Sequence, residues 1–515
     1  MKPIRLMTGF FTVGVWTLLS RILGFAREVM ILSLIGPGPL MDAFVAAFRL
    51  PNMFRRFFAE GAFNAAFVPM FSKRLEGGDG APQFAQNAFT GLFFVVTVLT
   101  ALGMLFMPAL VWATAEGFSG DGRFDMTVGY GRIVFPYILF MSLSALFSGI
   151  LNATGRFAVA AAAPVLLNIF VIGALTIGTL LGGAAINWLI WAIPLAGGAQ
   201  LALTWRAAAQ AGFKMRPARP RWNTDMRDLL VIALPAALAS GVMQINLVVG
   251  QLVASQYENA VSWLFAADRL YQLPLGVVGI AVGVVLLPDL SRRLRAGDDA
   301  GAQTALSRAA EISLALTIPS AVALVAIPVT LVSVLFERGA SGADDSAAIA
   351  TAVMIYGLGL PAFVLQKIVQ PLYFAREDTR RPFYFALVAM VVNAGLAIGL
   401  APWAGWLAPA IAATVAGWAM YALLAIGARG FGEAARVDAR FRNRIWRIVA
   451  ASALMGVALW LVNTQLGGVI ALPWWRGLGL LFLLAIGAAT YFGAGQTLGA
   501  FKLSEFKSAL RRGGK

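Results

Sequence analysis

Asp42, Arg49, Asn52, Arg56, Glu60 and Asn64 follow one another at intervals of 7, 3, 4, 4 and 4 residues. At 3.6 residues per turn this spacing makes one polar stripe along a helix, about 33 Å from end to end. Arg55 adds a charge about 100° around the same helix. Much of the apolar remainder is phenylalanine: Phe44, Phe48, Phe57, Phe58, Phe63, Phe67 and Phe71. Upstream, Ser20-Arg21-Ile22-Leu23-Gly24-Phe25-Ala26-Arg27-Glu28 carries two more arginines. A straight helix would point Arg21 and Arg27 about 120° apart, and a bend at Gly24 could aim both to one side. A simple Arg27–Glu28 ion pair is the other reading, although adjacent helical positions do not face each other. Further along, Asp268-Arg269 is followed one turn later by Gln272, and Lys367 stands alone in an apolar run.

These residues set arginines 21, 27, 49, 55, 56 and 269 and Lys367 against Glu28, Asp42, Glu60 and Asp268. Within the stripe Arg56 and Glu60 form an i, i+4 pair, and the Arg55–Arg56 neighbourhood also fits an interfacial helix. Asp42 and Glu60 are read as internal compensation. The arginines are read as cavity lining, because two acids cannot neutralise them all. Seven of the 40 basic residues are lysine and the rest arginine, whose guanidinium fork suits bidentate capture of phosphate. The expected ligand is an anion, a phosphate or diphosphate. With no His and no Cys, imidazole and thiolate catalysis, disulfides and the commonest zinc sites are excluded. No G-x-x-x-x-G-K-[ST] sequence provides an ATP motor. A glycosyltransferase could use Asp42, Glu60 and Asp268, but these sit among arginines rather than clustered for a metal, and no metal or other cofactor is expected. A scaffold would need every intramembrane arginine paired internally, which the excess of arginine disfavours.

The elements that carry these charges must lie in lipid. The chain of 515 residues is 60% hydrophobic and 12% charged, with a mean hydropathy of +0.79, whereas a soluble domain is about 25% charged. Fourteen apolar runs are long enough to span a bilayer, near 8–35, 40–72, 87–114, 130–152, 158–181, 186–206, 229–257, 262–290, 307–336, 347–374, 383–401, 407–427, 446–464 and 475–497. None alternates as a barrel strand would, so the fold class is an all-α polytopic membrane protein. The first run contains Arg21, Arg27 and Glu28 and has no cleavage pattern, so it reads as a retained helix. The net charge of +16 lies between the runs, which argues against a nucleic-acid partner. Loops after even-numbered runs are basic: Lys73-Arg74, Arg156, Lys214 to Arg221, Arg292 to Arg295, Arg376 to Arg381 and Arg429 to Arg444. Loops after odd-numbered runs are short or acidic, as in Glu116, Asp121 and Asp125, or Asp344-Asp345. Lys2, Arg5 and the lysines and arginines from Lys502 onward mark both termini as cytoplasmic.

Two parts of the chain echo each other. Ala46-Ala47-Phe48-Arg49-Leu50 resembles Ala266-Ala267-Asp268-Arg269-Leu270 at an offset of 220, and Pro69 to Leu75 resembles Pro288 to Leu294 at 219. Pro136, Arg156 and Asn168 match Pro361, Arg381 and Asn393 at 225. Six runs separate the partners, so the repeat is parallel, an arrangement that builds transporters whose lobes rock about a central site. The expected organisation is an N-lobe over 1–220, a C-lobe over 221–430, and a basic linker with two further helices over 431–515. That last pair reads either as peripheral packing or as a surface for lipid or a partner.

The segment 20–28, then Asp42-Ala43-Phe44, Arg49-Leu50-Pro51-Asn52, Arg55-Arg56 and Phe58-Ala59-Glu60-Gly61-Ala62-Phe63, resembles the MurJ lipid II flippases of the multidrug/oligosaccharidyl-lipid/polysaccharide (MOP) exporter superfamily. Ala267-Asp268-Arg269-Leu270 with Leu273-Pro274 and Gly276, and Arg376-Glu377-Asp378-Thr379 with Pro382, are similar to the same family. The likeness covers about the first 430 residues. It implies alternating access by two six-helix lobes, moving an undecaprenyl-diphosphate-linked disaccharide-pentapeptide from the cytoplasmic to the periplasmic leaflet of a bacterial inner membrane. It further implies diphosphate binding by Arg21, Arg27, Arg55 and Arg269, to which the stripe itself adds Arg49 and Arg56 as substrate-binding candidates, and a groove for the polyprenyl tail on the last two helices. Glu28, Asp42, Asn52, Glu60, Asp268, Gln272 and Lys367 would be polar or gating residues. Membrane lipids and peptidoglycan synthases are the implied partners, and a monomer is expected.

One departure concerns coupling. Relatives that bind sodium use acids on the seventh and eleventh runs, whereas 229–257 holds no acid here and Asn393 is followed one turn later by Ala397. Sodium coupling is therefore not expected, and membrane potential suits as a driver, at about 2.3 kcal/mol per charge per 100 mV. The rivals are a flippase for O-antigen or capsule precursors and a cation–drug antiporter. The antiporter should carry unpaired acids, the opposite sign.

Overall fold

Prolines set the rhythm of the helices. The computed structural model describes residues 3–55, 62–78, 80–220, 223–281, 286–470, 472 and 475–501. Arg56 and Glu60 lie outside the described residues, as do Phe57, Phe58, Lys2, Arg221 and the basic residues from Lys502 onward. Among the described residues every regular element is helical. The first half of the chain holds α1 (Pro3–Leu34), α2 (Pro39–Arg55), α3 (Ala62–Gly77), α4 (Ala81–Leu105), α5 (Met107–Thr114), α6 (Arg123–Val134), α7 (Tyr137–Ala153), α8 (Phe157–Leu181) and α9 (Ala185–Gln210). There follow α10 (Thr224–Ser255), α11 (Ala260–Ala281), α12 (Leu287–Arg295), α13 (Asp299–Ala326), α14 (Pro328–Phe336), α15 (Ala343–Phe374), α16 (Arg380–Ala404), α17 (Ala408–Ala428), α18 (Ala439–Ile470) and α19 (Arg476–Thr497).

Each of the fourteen apolar runs coincides with one helix or with two consecutive helices. The breaks have a stated cause. A proline lacks the N–H that would bond four residues back and fits best in a first turn. Pro108 sits in the first turn of α5, after Phe106 leaves the helix at φ −92° and ψ 20°. Pro328 opens α14 after Ile327 at φ −133° and ψ 44°. The two prolines are 220 positions apart, so the same broken run recurs at the offset seen in the sequence. The match is not complete. Pro136 separates α6 from α7, whereas its counterpart Pro361 lies inside the unbroken α15.

Nine helical stretches among the described residues are long and apolar enough to cross a membrane. They take in ten of the fourteen runs, and the remaining four are 8–35, 40–72, 229–257 and 262–290, the first two of each half. Three of those four carry the site charges other than Lys367. Large side chains face outward along the helices, with Leu180 79% and Trp403 87% exposed, as lipid-facing positions should be.

The helices fall into two compact units, Met1–Ser262 with Gly339–Ser341, and Trp263–Arg338 with Gly342–Lys515. In the first, α1 packs on α8, α8 on α9, α7 on α9, α2 on α6, and α10 on α3. Its core is aromatic: Phe63, Phe67 and Phe71 stack at successive turns, and Phe84 lies against Phe67 with centroids 5.6 Å apart. In the second, α15 packs on α17 and α13, while α18 and α19 pack on each other. There the buried Tyr373 hydroxyl donates to the Leu424 carbonyl at 2.6 Å, and Tyr491 on α19 donates to the Ala315 carbonyl on α13 at 2.6 Å.

Candidate functional site: the intramembrane charges

Arg27 is held from α8. Its Nη1 donates to Asn168 Oδ1 at 3.0 Å, and Asn168 Nδ2 donates in turn to the Ser20 carbonyl at 2.9 Å. One amide thus ties the guanidinium to the helix turn two steps before it. A Cβ at Gly24 would stand 3.7 Å from the Asn168 amide, an ordinary van der Waals distance, so this approach does not depend on the glycine. Arg27 Nη2 also pairs with Glu28 at 2.5 Å. Adjacent positions do not face each other along a helix, but a guanidinium on a long stem reaches back across that angle. Both side chains are largely buried, 15% and 6% exposed. Arg21 lies exposed, so the two arginines of α1 occupy different environments. Sequence reasoning noted Asn168 only as a repeat match of Asn393. Its signal was an amide in an otherwise apolar run.

Asp42 is the most enclosed charge on α2, with no exposed surface. Its Oδ1 accepts from the Ser262 backbone N–H at 2.8 Å, and its Oδ2 pairs with Arg123 Nη1 at 3.3 Å. Arg123 also donates to Asp121 and to the Tyr257 carbonyl, and stacks over Phe118 at 4.4 Å. Burial works against the Asp121 charge, yet the hydrogen bonds and charge of Arg123 prevail and hold it below the ordinary carboxylate value. Arg123 is the residue that sequence reasoning missed. It opens α6 beside a loop whose acids dominated the reading, and the sequence Asp121-Gly122-Arg123 was the available sign.

The rest of the α2 stripe is half-buried. Arg49 Nη1 reaches the Leu247 carbonyl on α10 at 3.3 Å. Asn52, next to Pro51, turns its amide back to the Phe48 carbonyl at 2.9 Å, and Arg55 closes the helix. In the second unit, Gln272 donates to Asp268 one turn earlier on α11. The Arg269 guanidinium lies over the Phe265 ring at 4.5 Å, and Lys367 on α15 is exposed. Among the described residues no group of three or more acids converges as a metal site would.

A second cluster lies at the start of α18. Glu311 on α13 receives Arg308 at 2.7 Å, Arg444 at 2.5 Å and Arg440 at 3.4 Å, and Arg308 also bridges to Asp438 at 2.9 Å. The basic linker is therefore folded onto α13 by its own arginines.

Comparison with known proteins adds an independent line. The family described as Lipid II flippase MurJ matches residues 31–475. A probable lipid II flippase MurJ of Rhizobium tropici is 42% identical over 520 residues, covering 99% of this chain and 97% of the relative. Among solved structures, a lipid II flippase MurJ in an inward closed conformation superposes with a TM-score of 0.79 at 24% identity, over 94% of this chain and 98% of that one. An inward-facing multidrug resistance MATE family transporter of the MOP superfamily gives 0.67 at 16% identity, over 81% and 95%.

Proposed function

Because this chain belongs to the MurJ lipid II flippase family, we propose that it carries lipid II, a polyprenyl-diphosphate-linked muropeptide, from the cytoplasmic to the periplasmic leaflet by alternating access. It is a multi-pass membrane transporter with the fold of the MOP superfamily, and not an enzyme. The rocking bodies are the two repeats, 1–220 and 221–430, a pairing supported by the matching breaks at Pro108 and Pro328. Residues 431–515 supply the tail groove, both termini face the cytoplasm, and the protein works as a monomer beside peptidoglycan synthases.

The observation that carries the binding role is Arg27, a guanidinium largely buried among membrane helices and aimed by Asn168 Oδ1. Keeping such a charge in an inserted helix costs about 2.5–3.5 kcal/mol, a cost offset in function if the diphosphate binds there. Arg21, Arg49, Arg55, Arg56 and Arg269 complete the cationic lining. The diphosphate neutralises it on binding, and the loaded site then moves between leaflets with less charge exposed to lipid.

Lipid II affinity of the purified protein tests this reading. A charge-assisted hydrogen bond is worth about 1.5–3 kcal/mol, so Arg27→Ala and Arg269→Ala should each weaken binding by roughly tenfold or more. Unchanged affinity in both variants would remove the arginines from the site.

A further inference from the structure

Two loop contacts of the first unit match each other under the repeat. In one, Gly117 N–H donates to Ser255 Oγ at 3.1 Å, and a Cβ on Gly117 would stand 2.5 Å from the Ser255 carbonyl and the Gln256 nitrogen. In the other, Ala340 N–H donates to the Ser33 carbonyl at 2.9 Å, and a Cβ on Gly339 would stand 2.2 Å from that same oxygen. Gly117 and Gly339 are 222 positions apart, and so are Ser33 and Ser255. Each serine also folds its hydroxyl onto the carbonyl three residues back, Ser33 to Met30 at 3.1 Å and Ser255 to Leu252 at 2.7 Å. The two seats thus join repeat-equivalent residues, although the hydrogen bond runs to a hydroxyl at one and to a carbonyl at the other.

A third contact lies at the same loops. Asp42 and Ser262 are 220 positions apart, the offset of their own stretch of the repeat, and they are joined by the amide–carboxylate bond. Asp42 thus meets its own repeat partner at the start of the helices that follow Ser33 and Ser255. Both seats press backbone on backbone, so no side chain can swing away to admit a methyl group. Gly339 in addition sits at φ +60°, a conformation that a side chain disfavours.

We propose that these seats form a matched latch holding the periplasmic end of the transporter shut, and that the missing Cβ at Gly117 and Gly339 sets how often that end opens. The inference rests on the alternating-access reading above. A rocking motion of the two repeats releases both seats together, breaking one hydrogen bond at each. A methyl group at Gly117 disfavours only the closed state and shifts the population toward the open one, and at Gly339 it does the same with backbone strain added.

The chain has no cysteine, so Ser262→Cys, at a fully buried position, gives a lone thiol in the full-length protein in cells. Its labelling by a membrane-impermeant maleimide reads opening of this end. The latch predicts slow labelling in the parent and a several-fold rise with Gly117→Ala or Gly339→Ala. Gly120→Ala, in the same loop but with open space around it, should leave the rate unchanged. Ser255→Ala removes only the hydroxyl acceptor and should give a smaller rise, which keeps the test decisive if a glycine variant is poorly produced. Equal rates in all well-produced variants would overturn the latch. A rise seen only with a membrane-permeant maleimide would overturn the assignment of this end to the periplasm. This readout needs no lipid II, so a latch that behaves as predicted in a protein that fails to move lipid II would sink the substrate reading alone.

Discussion

Asn168 does more at the site than its sequence announced. Its amide spends one dipole end on Arg27 and the other on the Ser20 carbonyl, so it fixes both the guanidinium and the helix turn before it. Removing it leaves a largely buried guanidinium with one fewer acceptor, which costs about 1–3 kcal/mol. Asn168→Ala should lower the melting temperature and weaken lipid II binding, whereas Asn168→Asp, which keeps an acceptor for Arg27 but sets a negative charge against the diphosphate, should recover stability more than binding. Equal binding by Asn168→Ala and wild type would confine Asn168 to a structural role. The arginine types and their helical spacing were legible in the sequence. Their partners were not, because Asn168 lies 141 residues from Arg27 and Arg123 lies 81 from Asp42. Local spacing carries no record of such pairings.

Between α13 and α18, a single carboxylate organises three guanidiniums. Glu311 stands with 10% of its side chain exposed, and its partners Arg440 and Arg444 come from the segment that a composition reading treats as a basic linker. Glu311→Gln keeps the shape and removes the charge. The cost should be about 2 kcal/mol, less than for a fully buried pair because Arg308 and Arg440 reach solvent. Faster amide hydrogen exchange over 436–447, with α1 and α8 unchanged, is the expected result. Unchanged exchange there would mean that α18 is held by its apolar contacts alone. The helices themselves were readable from hydropathy. Whether a proline breaks a helix was not, since Pro136 does and Pro361 does not.

For the whole molecule, composition alone dictated lipid as the solvent, and the repeat offset pointed to a two-part transporter. The structure adds a division by contact in which α10 packs within the first unit, a grouping that no periodicity could give. The family supplies lipid II as cargo, and the proposal gives the chain's arginines the task of holding it. These claims meet in one measurement, the amount of lipid II exposed on the outer face of cells depleted of their own flippase and carrying this gene. Wild type is compared with Arg27→Ala and Arg269→Ala at matched expression. The account predicts that wild type restores exposure and that both variants lose most of it. No restoration by well-expressed wild type would contradict lipid II transport, and equal restoration by all three would contradict the cationic site.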